Sequence, residues 1–195
     1  MKPIQITGRL WVLRAPEGEL YNDVDTDMIF HNRYLHITDL QEMGQYALDN
    51  LKGWESFAQE AQEGDILLAG TNFGAGSSRQ QAVDCFRALG VRAIVAESYG
   101  AIYKRNAINS GFAVVEVPGL TGAASRLITG HRVTVDLEEG WLTTQDGVAI
   151  SARPFSQVQK DIYKAGDLFA FGRTATPETL NFGAQPRRAG QGGAE

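Results

Sequence analysis

Two hydrophobic periods alternate along the chain. Ile4–Leu13 and Asp65–Thr71 predict strands, and the short Val- and Ile-rich runs Val91–Ala96 and Phe112–Val117 suit strands buried on both faces. Between Ser77 and Gly90 the period changes. Ala82, Cys85, Phe86 and Leu89 fall at i, i+3, i+4 and i+7, which is one apolar stripe of a helix. Ser77 followed three residues later by Gln80 predicts a capping box at its start, and Gly90 stands where a glycine would end it. Asp65 to Ala96 therefore reads as strand, glycine-rich loop, helix and strand, the length of a βαβ unit. A second helix is expected over Gly100–Asn109. Further on, Val133–Leu137, a Glu138-Glu139-Gly140 turn and Trp141–Ile150 read as a hairpin, and Pro154–Lys164 as a last short helix. Parallel-type units in the middle and antiparallel elements at the end predict one compact α/β domain.

Composition narrows the function classes. The chain has 195 residues, 43% hydrophobic and 21% charged, which is ordinary for one soluble domain with a real core. A net charge of −5 gives no basic field, so neither nucleic acid nor an anionic membrane surface is expected as a partner. No apolar run approaches the ~20 residues that span a bilayer, and the first twenty residues do not read as a signal peptide. A single cysteine, Cys85, excludes an internal disulfide framework and a self-contained iron–sulfur or cysteine zinc site; the expected address is the reducing cytoplasm. From about Thr174 the sequence turns rich in Gly, Pro, Thr and Gln. The expected division is a domain over residues 1–173 and a tail over 174–195, either mobile or lying on a partner.

The densest chemical signal is the segment Gly70-Thr71-Asn72-Phe73-Gly74-Ala75-Gly76-Ser77-Ser78-Arg79. It falls between the carboxyl end of a strand and the amino end of a helix, where an open α/β sheet places ligands. Free backbone N–H groups and the helix dipole favour an anion there. Arg79 adds a planar fork that holds a carboxylate by two bonds. A Walker loop needs Lys before Ser or Thr, and a dinucleotide fingerprint needs a third glycine where Arg79 stands, so a small carboxylate is the better guess than a nucleotide phosphate. The rival reading has Ser77 merely capping the helix and Arg79 in solvent. A second cluster, Asp23, Asp25 and Asp27, spaces acids at alternate positions, which in an extended segment share one face. Such acids also serve as turn formers and helix caps. The spacing does not fit a calcium loop, since Met28 and Tyr34 occupy its glycine and glutamate positions.

Three ordered motifs carry a resemblance: Asp-Val-Asp-Thr-Asp-Met-Ile from Asp23, the Asn-Phe-Gly-Ala-Gly-Ser-Ser-Arg-Gln-Gln-Ala loop from Asn72, and Glu-Ser-Tyr-Gly-Ala-Ile-Tyr-Lys-Arg-Asn-Ala-Ile-Asn-Ser-Gly from Glu97. Together, from about Gly8 to Phe171, they resemble the small-subunit family of 3-isopropylmalate dehydratase, the detached swivelling domain of the aconitase superfamily. The resemblance implies a single swivelling β/β/α domain with a mixed sheet. It implies a hydro-lyase acting on a hydroxy-di- or tricarboxylic acid, active only with a large subunit. That partner is expected to carry a 4Fe–4S cluster as Lewis acid, with no cofactor on this chain. Carried onto this sequence, Ser77 is the candidate base, Ser78 a donor to substrate beside Gly76, Arg79 the carboxylate clamp, and Asp27 a support of the network. Ser77 has no histidine beside it in the motif, so the helix terminus, Arg79 and a dry interface are the available means of activating it.

In the family, the stretch after the acidic motif meets the variable part of the substrate. Here it holds Arg33, Tyr34, His36 and Ile37. A homoaconitate-type arginine is absent after Tyr34-Leu35. His36 accommodates either an alkyl group or a carboxylate, Ile37 leans apolar, and Arg33 is the rival anion contact. The leading expectation is isomerisation of 2- to 3-isopropylmalate in leucine biosynthesis. A homoaconitase, citraconate or 2,3-dimethylmalate type hydro-lyase, or a non-catalytic carboxylate-binding module, are the alternatives.

Overall fold

The computed structural model describes residues 2–175. Strand β1 (Gln5–Val12) leads through short helices α1 (Thr26–Ile29), α2 (Leu40–Met43) and α3 (Phe57–Glu60) to β2 (Ile66–Ala69). Then follow α4 (Gln81–Ala88), β3 (Ala93–Ala96), α5 (Ala101–Asn109), β4 (Ala113–Glu116) and α6 (Leu120–Ala123). Three more strands, β5 (Arg132–Asp136), β6 (Trp141–Thr144) and β7 (Ala149–Ser151), precede α7 (Gln157–Ala165) and α8 (Leu168–Thr174).

The seven strands form one sheet in the order β4-β3-β2-β1-β5-β6-β7. Strands β1 to β4 run parallel and β5 to β7 add antiparallel, the mixed sheet expected from the change of pattern along the chain. Strand β1 serves both halves: Gln5–Arg9 pair with β5 and Leu10–Val12 with β2. Gly8 lies where the partner is about to change. A Cβ there would come 2.1 Å from the Gly64 carbonyl oxygen, so the chains pass only because the residue is glycine.

The sheet has a core on each face. Leu13, Leu67, Ile94 and Val114 pack on one side with Phe73, Phe86 and Tyr103 beneath α4 and α5. Leu10, Leu68, Val95 and Val115 pack on the other against Val133, Leu142, Phe155 and Tyr163. Burial on both faces explains why β2 and β3 read as continuous apolar runs.

Three local expectations are corrected. Helix α4 starts at Gln81 rather than Ser77, and no side chain caps it. The chain before it is pinned by bridges from Phe73 to Tyr99 and from Ala75 to Asp25, and Ser77 stands four residues ahead of the helix with its hydroxyl on Thr26. A capping box forms instead at α7, between Ser156 and Gln159. The single strand expected over Trp141–Ile150 is broken into β6 and β7 by a turn in which Gly147 donates to the Thr144 carbonyl at 3.0 Å. Helix α8, capped by Asp167 through the Ala170 N–H at 2.6 Å, runs up to the expected start of the tail. Of that tail, residues 176–195 lie outside the described part.

Candidate active-site loop

The loop between β2 and α4 lies at the carboxyl ends of the parallel strands, and backbone bonds clamp it on both flanks. Toward the segment after β1, Gly74 N–H donates to Val24 O at 2.7 Å and Thr26 N–H to Ala75 O at 2.8 Å. Toward the segment after β3, Phe73 N–H donates to Ser98 O at 3.0 Å and Gly100 N–H to Phe73 O at 2.9 Å. Three strand ends are thereby joined into one platform. Gly74 makes this possible: its φ is +77°, and a Cβ would meet the Tyr103 ring at 2.2 Å.

Downstream of the clamp, Ser77 and Ser78 are exposed. The Ser77 hydroxyl pairs with that of Thr26 at 3.2 Å, and Thr26 is itself buried. Ser78 Oγ accepts from Asn106 Nδ2 at 3.2 Å. Arg79 folds back onto α1, donating from Nη1 to Asp27 Oδ1 at 2.6 Å and to the Phe30 carbonyl at 3.1 Å. The hydrogen bond from Arg79 holds the Asp27 carboxyl below the usual carboxylate range; burial opposes this, and the Asn32 N–H reinforces it. Asp27, Ser77, Ser78 and Arg79 are therefore gathered around one loop, with Gly76 exposed beside them.

The three alternate acids do not share a face. Asp23 turns into a left-handed conformation, with φ +52°, and accepts from Asn72 Nδ2 at 2.8 Å. Asp25 caps α1, accepting from the Asp27 and Met28 N–H groups at 2.8 Å. The chain leaves the extended conformation at Asp23 and again where α1 begins, so among these three only Asp27 meets Arg79.

The stretch expected to meet the variable part of a substrate divides in two. Tyr34 stacks on Tyr46 with ring centres 3.9 Å apart and donates to Asp49 Oδ2 at 2.5 Å, and Ile37 is buried in the core. Both tie the segment down. Arg33 and His36 face outward; Arg33 Nη2 donates to the same Asp49 oxygen at 3.1 Å, and His36 Nδ1 lies 3.0 Å from the Arg33 carbonyl. Thr26, Asn106 and Asp49 are not marked by the sequence as parts of the site. Thr26 and Asn106 stand inside the quoted motifs, but only the folded chain reveals that they touch Ser77 and Ser78.

This chain offers no thiolate to a metal cluster. Cys85, its one cysteine, is wholly buried on α4, and burial pushes its thiol well above the usual range. Among the described residues, no group of three or more His, Cys, Asp or Glu is placed to hold a metal ion. No helix among them is long and apolar enough to cross a membrane.

Residues 21–119 match the aconitase C-terminal domain family, a span that contains both the acidic segment and the loop. The 3-isopropylmalate dehydratase small subunit of Caldicellulosiruptor bescii is 37% identical over 82% of this chain and 94% of its own length. That of Pyrobaculum neutrophilum is 40% identical over 80% of this chain and 94% of its own. The crystal structure of 3-isopropylmalate dehydratase from Methanocaldococcus jannaschii superposes with a TM-score of 0.75 at 30% identity, covering 87% of this chain and 93% of that one. With these matches along most of its length, the chain belongs to the 3-isopropylmalate dehydratase small-subunit family and carries that family's aconitase C-terminal fold.

Proposed function

We propose that this chain is the small subunit of a two-subunit hydro-lyase that converts 2-isopropylmalate to 3-isopropylmalate by dehydration and rehydration. The observation that carries the reading is the uncapped, exposed Ser77 on a clamped loop beside the Arg79–Asp27 pair, in a chain whose relatives bear the small-subunit name. In this reading Ser77 Oγ, as the alkoxide, takes the proton from the substrate carbon and becomes the hydroxyl. Arg79 spends Nη1 on Asp27 and Phe30 and turns its remaining donors to a substrate carboxylate. Ser78 and the Gly76 backbone add donors, and Asp27 keeps the guanidinium aimed. Arg33 and His36 meet the variable end of the substrate, over a base held by Tyr34 and Ile37. The domain that does this spans residues 1–173.

The large subunit closes the site and holds the iron–sulfur cluster, for which this chain has no available thiolate. Docking of the large subunit also supplies the dry environment that a serine base needs. The test is reconstitution with the large subunit and a panel of hydroxy acids. Ser77→Ala is expected to lower kcat by at least about a hundredfold with little change in KM. Near-normal turnover by that variant would remove Ser77 as base, and turnover by this chain alone would overturn the two-subunit reading.

A further inference from the structure

The parallel strands have a second end, remote from the loop. There, where β2, β3 and β4 begin, the surface holds a groove of about 590 Å³. It shares no residue with the Ser77 loop. Three cations, Lys2, Arg87 and Arg92, face it against one acid, Glu63. Leu89, Val91, Phe112 and Tyr163 supply an apolar wall. Its size falls within the usual range of small-molecule sites, and its lining joins an apolar wall to a comparable polar surface on which several charges converge.

The charges there are incompletely balanced. Lys2 Nζ donates to the Gly111 carbonyl at 2.6 Å and sits 5.1 Å over the Tyr163 ring; both hydrogen bonds it makes among the described residues go to backbone carbonyls, none to a carboxylate. Burial lowers the Lys2 pKa, and the nearby Arg87 charge lowers it further, with Asp167 opposing. Arg92 and Glu63 are 3.7 Å apart with both side chains well exposed, a pairing of small energetic value. Arg87 is held by Asp84 at 2.8 Å, on its own helix. An anion between Lys2 and Arg87 relieves their repulsion and gives the lysine an ionic partner.

We propose that this groove binds a small amphipathic anion, its carboxylate or phosphate head between Lys2 and Arg87 and its apolar body along Leu89, Phe112 and Tyr163. The Tyr163 ring then meets the tail while Lys2 bridges the ring and the head. The site is independent of the hydro-lyase reading and stands or falls without it.

Calorimetric titration of the full chain tests it, with acetate, hexanoate and decanoate as the carboxylates, decyl phosphate as the phosphate and decanol as the neutral control. Affinity is expected to rise about threefold per methylene from hexanoate to decanoate. Decanol is expected to bind at least about tenfold more weakly than decanoate, and Lys2→Met and Arg87→Gln each to weaken decanoate about five- to tenfold. Backbone amide shifts at Val91 and Gly111 would place the ligand in the groove. Whichever head binds better supports the site and identifies its preference. Equal binding of decanol and decanoate, acetate binding as tightly as decanoate, indifference to Arg87→Gln, or amide shifts confined to the Ser77 loop would each overturn it.

Discussion

Ser77 depends on its neighbours for aim. Its hydroxyl faces solvent on one side and the buried Thr26 hydroxyl, 3.2 Å away, on the other. A threonine is stiff about χ1, so its oxygen offers a fixed partner that restrains an exposed serine. Thr26→Val keeps the shape and removes that partner. In the assembled enzyme it is expected to lower kcat about tenfold with KM unchanged, and Thr26→Ser to restore most of the rate; equal rates for valine and wild type would deny Thr26 a positioning role. Asp27 makes a second, pH-dependent case. Its pKa is depressed in the folded state by the Arg79 hydrogen bond, so its stabilising contribution is complete above the ordinary carboxylate value and is lost as pH falls through the depressed one. Asp27→Asn should therefore flatten that part of the acid limb in urea titrations run across this range, while leaving the neutral-pH slope of stability with pH unchanged.

Among the elements, the loop is shaped by what lies beside it more than by the helix after it. The predicted helix start at Ser77 gives way to one at Gln81, after a loop whose Ala75 and Phe73 are bonded to the segments after β1 and β3. Local capping propensity is worth about 1 kcal/mol and yields to several backbone bonds made in concert. The same clamp requires Gly74, so Gly74→Ala must both enter a left-handed conformation and displace the Tyr103 ring. A loss of at least about 2 kcal/mol is expected, read as a lower urea midpoint at unchanged slope, together with loss of reconstituted activity. Apolar periodicity, by contrast, marked α4 and the buried strands correctly, because the core faces of these elements are set by the spacing of residues such as Ala82, Cys85 and Phe86.

In the whole molecule, one sheet separates two cores and places the two candidate sites at opposite ends of its parallel strands. The loop occupies the carboxyl ends of the parallel strands and the basic groove their amino ends. Strand β1 binds the parallel and antiparallel halves together, which should make unfolding cooperative across both. Leu10, fully buried where β1 begins to pair with β2, tests this. Leu10→Ala is expected to cost about 2–5 kcal/mol in one transition, coincident by circular dichroism and by the fluorescence of the three tryptophans, Trp11, Trp54 and Trp141. Separate transitions would show that the two halves unfold independently.

By itself the sequence determined β1 to β5, the helices α4, α5 and α7, the mixed sheet, and the residues of the chemical loop, because hydrophobic period and glycine-rich motifs are local properties of the chain; the short helices α1, α2, α3 and α6, and α8, carried no such period. It also showed that one cysteine is too few to hold a cluster. Only the tertiary structure decided that Ser77 is free of the helix cap, that Asp27 alone of the three alternate acids reaches Arg79, and that Tyr34 and Ile37 anchor their segment. It also brought Lys2, Arg87 and Tyr163 to one groove. Each of these rests on contacts between residues far apart in the chain, where strand pairing and burial outweigh the local preferences a sequence displays.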